Sequence, residues 1–166
     1  MMKKYILLTV FLLAGAVGAW FFFSADSDAA QIKRTLQMLC RMTTKKSGDN
    51  AAAAALLISK TDKVFTGEFS VKIGNGMLDG VYNPTKMTSE LARYRGVFKE
   101  VRTDIQDVEI NFPAQDAAEV VFTGVLNGSS KTGSSVSEAR EVICSFSRTP
   151  DGWRINKMII REIMEK

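Results

Sequence analysis

Histidine is absent from the 166 residues of the sequence. Without an imidazole there is no His general acid or base, no Ser-His or Cys-His nucleophile pair, and no metal site that needs a histidine ligand. The two cysteines are too few for a structural zinc site by themselves. These absences exclude many hydrolytic and metal-dependent enzyme classes, and the sequence predicts neither a metal nor a cofactor.

A strong charge of one sign is also missing. Lys and Arg number 22, Asp and Glu number 18, and the net charge is +4. Two of the positive charges belong to Lys3 and Lys4, so the rest of the chain is nearly neutral. A nucleic-acid-binding domain normally carries a marked basic footprint. We therefore predict no nucleic-acid partner.

Residues 5–23 form a run of nineteen residues without a charge. As an α-helix this run would be about 28 Å long, close to the hydrocarbon core of a bilayer. Lys3 and Lys4 precede the run and acidic residues follow it, so the positive-inside rule places the N-terminus in the cytoplasm. We predict a signal-anchor over residues 1–25, single-pass in the inner or cytoplasmic membrane. It would hold a domain of residues 26–166 in the periplasm or outside the cell.

Cleavage of this segment as a secretory signal is the alternative. Val17-Gly18-Ala19 offers the small residues that a signal peptidase needs. Cleavage there would leave Trp20 and three phenylalanines at the new N-terminus, and the run exceeds the usual apolar core of a signal peptide. We favour the uncleaved anchor over a secreted domain.

Export of the domain from the cytoplasm would change how its two cysteines are interpreted. A disulfide can persist there, and Cys40 with Cys144 is the one intramolecular pair that the sequence allows. The alternative, which we favour, is two unpaired buried thiols, because sequence cannot supply the Cα separation that the bond demands.

Hydrophobic periodicity predicts helices first and strands afterwards. A first helix has its apolar stripe at Ile32, Leu36, Leu39, Cys40 and Thr43, and a second runs from the break at residues 47–50 to about Ser59. A third, over residues 86–100, begins after Asn83-Pro84 with Thr85 or Thr88 as its cap. Alternation predicts strands over residues 64–73, 77–82, 107–112, 118–126, 136–147 and 153–163, with a long polar loop over residues 127–135.

This order, and the end of the chain, resemble the nuclear transport factor 2-like superfamily, also called SnoaL-like or cystatin-like α+β. The final hairpin is the most specific part. Residues 142–146 alternate, Thr149-Pro150-Asp151-Gly152 forms a turn, and Trp153 opens the last strand. The resemblance implies an α+β fold in which helices pack on a curved antiparallel sheet to form a cone with a pocket at its open end.

The resemblance also implies candidate ligand contacts inside the cone. The aromatic residues that we expect to line it are Tyr82, Tyr94, Phe98, Phe112, Phe122 and Trp153. A cone lined in this way would bind a small apolar molecule. The alternative is that the same side chains simply fill the cone.

The superfamily includes ketosteroid isomerase-like and dehydratase enzymes. Such a site needs a carboxylate base beside an oxyanion-stabilising hydroxyl. The candidate carboxylates are Asp104, Asp107 and Glu109, and the candidate donors are Tyr82 and Tyr94. The three acids alternate with aliphatic residues, as side chains on a solvated strand face do, and no catalytic motif of the superfamily is matched. We assign no catalytic residue.

Three functions follow in order. The first is a non-catalytic binding or assembly module of the bacterial envelope, with a protein partner or a second copy bound through the sheet face, as members of the superfamily often pair. The second is a carrier or sensor of a small apolar ligand. The third is an isomerase- or dehydratase-like enzyme.

Overall fold

The computed structural model describes residues 28–74 and 79–162, so the predicted anchor of residues 5–23 lies outside the described residues. The helices are α1, described over residues 28–43, α2 (Ala51–Ile58), a 3-10 helix (Ser59–Lys63) and α3 (Pro84–Val97). The strands are β1 (Phe65–Ile73), β2 (Gly80–Tyr82), β3 (Phe98–Ala114), β4 (Ala117–Ser130), β5 (Ser135–Thr149) and β6 (Gly152–Glu162). Within the described ranges no helix is long and apolar enough to cross a membrane.

The six strands form one sheet in the order β2-β1-β6-β5-β4-β3. The pairs β3–β4, β4–β5 and β5–β6 are antiparallel, but β1 lies parallel to β6. The expected antiparallel sheet is therefore a mixed sheet. Hydrophobic alternation reports which face of a strand is buried, and it carries no information on the direction of a neighbour far away in the chain.

Asparagine side chains begin two of the helices. Asn50 Oδ1 accepts hydrogen bonds from the backbone N–H groups of Ala52 and Ala53, which starts α2 as expected. Asn83 caps α3 by accepting from Lys86 N at 2.8 Å, with proline in the first turn. The expectation of Thr85 or Thr88 as the cap was wrong, because the asparagine before the proline already supplies the acceptor.

The long β3, β4 and β5 strands exceed their predicted lengths. The predicted loop over residues 127–135 is largely strand, and only residues 131–134 connect β4 to β5. The third helix ends at Val97, three residues before its predicted end, because Phe98 is already extended. The serine and glycine residues of this segment are typical of loops, and they led to the loop prediction. In the structure they pair in register with β3 and β5.

Two faces of the sheet differ in burial. On the face that we call the inner face, Val120, Cys144 and Met158 are adjacent across β4, β5 and β6 and at most 8% exposed. They belong to one core with Ile32 and Leu36 of α1, so the helices pack on this face. The remaining large members of this core are Phe65, Phe69, Phe122, Phe146, Trp153 and Ile155.

Gly128 is required where β3 and β4 approach closely. A Cβ at this position would lie 2.7 Å from the carbonyl oxygen of Glu100 and 3.1 Å from the Cα of Val101. Gly128→Ala should lower the free energy of unfolding by about 1–3 kcal/mol, because backbone atoms cannot yield as a flexible side chain can. Urea unfolding measures the change.

Gly67 provides the matched control, since it also lies within a strand but no neighbouring atom comes within 4 Å of the point where a Cβ would lie. Gly67→Ala should change the free energy of unfolding by no more than about 0.5 kcal/mol. Equal losses in the two variants would show that the close β3–β4 approach is not what Gly128 serves.

Candidate functional site

A buried arginine organises the connection between α1 and α2. Arg95, near the end of α3, is 7% exposed. Its guanidinium donates to the carbonyl oxygens of Met42, at 3.0 Å, and Thr44, and to Asp49 Oδ2 at 3.1 Å. The last carbonyl groups of a helix have no partner within the helix. Arg95 therefore satisfies the end of α1 and holds both ends of residues 44–50, which we call the α1–α2 connection.

Lys45 joins the same connection to the edge of the sheet. Its backbone pairs with Val101 of β3 through N–H···O bonds of 2.7 and 2.8 Å. Its ammonium group donates to the carbonyl oxygens of Arg95, at 2.9 Å, and Phe98, at 2.6 Å. The α1–α2 connection is thus bonded to α3 and β3 together.

A cleft opens beside this connection. A depression of about 730 Å³ lies between α1, the connection, α2 and β3, and an adjoining one of about 610 Å³ continues along α1 and β3. We call the pair the α1–β3 cleft, and the residues that line both parts are Cys40, Arg41, Thr103 and Asp104. Its position between helices and sheet makes it the candidate ligand site of the described structure.

The thiol in the cleft is not an activated nucleophile. Burial raises the pKa of Cys40 to about 11, and the negative charge of Asp104 adds to this effect. A thiol with such a pKa is protonated at neutral pH, and the thiolate is the reactive form. The arrangement argues against cysteine-based nucleophilic chemistry in the cleft.

Two buried hydroxyl groups, those of Tyr94 and Thr103, lie near each other beside the cleft. The oxygens of Tyr94 and Thr103 are shielded from solvent and make no hydrogen bond of normal geometry with any described residue. Burial raises the pKa of Tyr94, while the nearby Thr103 hydroxyl and Arg95 lower it. Thr103 also contributes to the lining of the cleft, but because its oxygen is closed to solvent, the hydroxyl is not presented to a ligand there.

The structure does not gather the six predicted aromatic residues around one cavity. Tyr82, Phe122 and Trp153 are 6%, 4% and 2% exposed and belong to the core. They fill the space between helices and sheet, as the alternative expectation had it. None of the three lines the α1–β3 cleft.

The other three lie towards the ends of the sheet. Tyr94 and Phe98 pack together with their ring centroids 5.1 Å apart. Phe112 is 39% exposed and meets the Trp153 ring edge-on at 5.8 Å. These residues also stand outside the cleft lining, because the residues that reach it come from α1, the α1–α2 connection and the early part of β3.

Cys40 and Cys144 are both free cysteines. Cys144 is buried on the inner face of β5, where burial raises its pKa. Cys40 is partly exposed in the cleft. The disulfide considered from the sequence is absent, and the favoured alternative of unpaired thiols describes the structure, with only one of them fully buried.

The candidate carboxylates are not buried. Asp104 keeps 38% of its side chain exposed and bonds Arg102 Nε at 2.8 Å. Asp107 lies exposed at a bulge of β3 with φ of 53°, and Glu109 is exposed just after it. Among the described residues no Asp or Glu is buried, and no three His, Cys, Asp or Glu side chains cluster as metal ligands.

The face of the sheet opposite the core is a second candidate surface, which we call the outer face. Val121, Ile143 and Ile159 are adjacent across β4, β5 and β6, and each follows or precedes a buried inner-face residue. Successive side chains alternate between faces, so these three point away from the helices. They are only partly buried, unlike the inner-face row beside them.

In two neighbouring rows of the outer face the acidic and basic residues lie on opposite sides, whereas Arg102 and Asp104, further along β3, carry both signs. The acidic residues Glu109 and Glu119 lie on β3 and β4, and the basic residues Lys157 and Lys72 lie on β6 and β1. One row reads Glu109, Val121, Ile143, Ile159 and Lys72 from β3 to β1. An apolar centre therefore separates an acidic side from a basic side.

Arg95 and Thr103 were not identified from the sequence. Arg95 follows Leu91, a buried residue of α3, by four positions, and residues four apart share a helix face. An arginine on an apolar stripe was therefore the available signal for a buried cation. No comparable signal marked Thr103, because threonine in a strand is ordinary.

Arg95→Met should lower the free energy of unfolding by about 3 kcal/mol or more, because it removes the donor to the Met42 and Thr44 carbonyl groups and the ion-pair partner of Asp49. Denaturant unfolding measures the loss. Hydrogen exchange of the Lys45 and Val101 amides should accelerate as well, since the α1–α2 connection is no longer held.

Arg93→Met is the control on the same helix, because 75% of the Arg93 side chain is exposed and its partner is Glu90. This change should shift the unfolding free energy by at most about 0.5 kcal/mol. A similar loss in both variants would contradict a special role for the buried guanidinium.

Alkylation of Cys40 should be slow and should depend on Asp104. A pKa of about 11 against an ordinary value of 9.0 leaves about 100-fold less thiolate at pH 8. Asp104→Asn removes a charge that raises the pKa, so the thiolate fraction and the iodoacetamide reaction rate at pH 8 should increase. An unchanged or slower rate would refute the electrostatic contribution of Asp104.

Cys144 should not react in the folded protein, because it is fully buried.

No family model matches the chain, and no curated protein matches it. Solved structures are similar to it in fold. They include a nuclear transport factor 2-like superfamily protein from Salmonella enterica serovar Typhimurium, with a TM-score of 0.66 and 12% identity, covering 86% of this chain and 95% of that chain. A protein with a cystatin-like fold from Novosphingobium aromaticivorans has a TM-score of 0.65 and 11% identity, covering 87% of each chain.

A hexachlorocyclohexane dehydrochlorinase has a TM-score of 0.66 and 12% identity, covering 81% of this chain and 84% of that chain. At such low identities the similarity shows the fold alone. The same fold occurs in enzymes and in proteins without a known reaction. The described part of the chain has the nuclear transport factor 2-like, cystatin-like α+β fold.

Proposed function

We propose that this protein is a membrane-anchored, non-catalytic assembly module of the bacterial envelope, and that its outer face binds a second copy of the chain. The observation that carries the proposal is the arrangement of the outer face, with an apolar row between an acidic and a basic side. A surface that binds its own copy must be self-complementary, because the same patch is used twice.

A two-fold axis running along β5, parallel to the strands, makes this surface self-complementary. Rotation about that axis exchanges the β4 side with the β6 side. Ile143 then meets its own copy, Val121 faces Ile159, and Glu119 faces Lys157. Further out, Glu109 faces Lys72. Glu119 and Glu109 thus each meet a basic residue of the second copy, which favours this orientation over others.

Glu141 lies on the axis and approaches its own copy in this arrangement. It is paired across the strands with Arg161, so two arginines flank the two carboxylates. This neighbour compensates the like charges, and the apolar row beside it excludes water from the centre.

The anchor lowers the affinity that such an interface needs. Two chains held in one membrane by residues 5–23 meet at a high effective concentration. A modest apolar row with a polar rim is then sufficient for pairing.

The filled interior supports a non-catalytic role. Phe65, Phe122 and Phe146 are at most 4% exposed in the space where an apolar substrate would need to fit. No buried carboxylate stands beside them among the described residues. An isomerase-like site requires both a cavity and a carboxylate of shifted pKa.

Ligand binding in the α1–β3 cleft is the second candidate. The mixed charges of the cleft favour it, because Arg41 and Asp104 on its walls suit a polar molecule rather than the apolar one expected from the sequence. We rank it second because the cleft is open to solvent and its thiol is unreactive.

Charge exchange tests the proposed pairing. Glu119→Lys and Lys157→Glu should each weaken self-association of the full chain in detergent or nanodiscs, by about tenfold or more, because each puts like charges in contact. The double variant should recover association, since the two changes restore opposite charges across the axis. Sedimentation or single-molecule subunit counting measures the populations.

Ile143→Lys should abolish pairing, and Leu56→Lys provides its matched control. Leu56 is 64% exposed on α2, away from the outer face, so its replacement should leave association unchanged. A chain that stays monomeric at every concentration, or a double charge variant no better than the single ones, would sink the proposal.

A further inference from the structure

Three segments meet at one end of the domain, which we call the proximal end. They are the β3–β4 turn, the β5–β6 turn and the first described turn of α1. Arg148 N donates to the carbonyl oxygen of Asp116 at 2.9 Å, which joins the two β-turns. The Arg148 guanidinium also pairs with Asp28, so the beginning of α1 is bonded to this end.

The described chain begins with Asp28 at the proximal end. Phe23, the last residue of the apolar run, precedes Asp28 by five residues. Consecutive Cα atoms span at most about 3.6 Å each along an extended chain, so Asp28 lies within about 18 Å of the end of the apolar run. This limit holds whatever the conformation of residues 24–27.

The opposite end of the domain is far from this point. The connection between β4 and β5, residues 131–134, lies at the other end of β4. Ala117–Ser130 is 14 residues long, which corresponds to about 44 Å of strand. The α1–α2 connection also lies towards that distal end, since Lys45 pairs with Val101 and Val101 pairs with Gly128 of β4.

The proximal end presents exposed apolar and cationic side chains, next to the exposed acidic residues Asp116 and Asp151 of the two turns. Phe112 is 39% exposed there, followed by the exposed Pro113. Arg148 keeps 44% of its side chain exposed and lies 5.0 Å over the Trp153 ring. Aromatic and arginine side chains combine apolar bodies with polar ends, and they are favoured at the boundary between headgroups and water.

We propose that the proximal end rests on the headgroup region of the bilayer, so that the strands stand upright and the α1–β3 cleft lies in the distal half. The occupant of this surface is the lipid headgroup layer in which the chain's own anchor is embedded. The inference rests on the anchor in the proposed function, and it adds the orientation of the domain and the residues that touch lipid.

The orientation agrees with the proposed two-fold axis. Two chains anchored in one bilayer are related by an axis along the membrane normal. An axis parallel to β5 leaves both α1 starts at the same end, whereas an axis across the strands would send them to opposite ends. Upright strands therefore let both anchors enter one membrane while the outer faces pair.

Site-directed fluorescence quenching tests the orientation. The full chain carries Cys40→Ser to remove the accessible thiol, while Cys144 is fully buried. Gln115→Cys places a bimane label at the proximal β3–β4 turn, and Ser134→Cys places it at the distal β4–β5 connection. Both positions are exposed. The protein is reconstituted into vesicles of phosphatidylcholine and phosphatidylglycerol, with or without nitroxide-headgroup lipid.

The label at position 115 should lose most of its intensity with nitroxide lipid, and the label at position 134 should lose almost none. Adding Phe112→Asp to the Gln115→Cys protein should reduce the quenching, because a carboxylate is repelled from anionic headgroups. Leu56→Asp, on an exposed position of α2, should leave it unchanged.

Each contrary result has a separate meaning. Equal quenching at the two positions would show a domain lying on its side, and stronger quenching at 134 would show the reverse orientation. Either overturns this inference and leaves the pairing proposal standing. If Phe112→Asp leaves the quenching at position 115 unchanged, the label is near the bilayer without a contact between Phe112 and lipid. That result would overturn the proposed lipid contact. A chain that fails to float with the vesicles has no anchor. This result would overturn this inference and the membrane part of the proposed function. The self-association of the chain is measured independently of it.

Discussion

The buried guanidinium of Arg95 holds the helical layer to the sheet. It donates to the end of α1 and to Asp49, while Lys45 between them bonds α3 and β3. A cation out of water is unfavourable unless its donors are satisfied, so these carbonyl groups and this carboxylate must stay in position. The α1–β3 cleft takes its shape from that requirement, because the α1–α2 connection forms one of its walls.

The interior and the surfaces of this fold have different roles. Aromatic and aliphatic side chains fill the space between helices and sheet. The features left for function are therefore on surfaces: a polar cleft beside α1, an outer face with opposite charges on its two sides, and a proximal end beside the start of α1. A two-fold axis parallel to β5 allows the outer faces to pair while both proximal ends lie on the same membrane. For this reason we connect the assembly proposal with the membrane orientation.

Local chemistry allowed much of the fold to be predicted. The break at residues 47–50 and the cap at Asn50 were correct because a side-chain oxygen that accepts from the next turn is a short-range signal. The strand over residues 64–73 was correct because alternation over one strand needs no distant partner. The predicted loop over residues 127–135 was wrong, since its serine and glycine residues gain strand structure only from their long neighbours β3 and β5. The six aromatic residues that were predicted to line one cone do not line a common cavity.

The sequence by itself determined the order of helices and strands, the absence of histidine chemistry and the prediction of an anchor, because each depends on composition or on periodicity within one segment. Only the tertiary structure decided that β1 runs parallel to β6, that Arg95 is buried, that the cysteines stay apart and that acidic and basic residues lie on opposite sides of one face. These features depend on residues far apart in the chain, such as Arg95 with Asp49. Their juxtaposition is set by strand register and by packing against a shared core, and no local pattern records either.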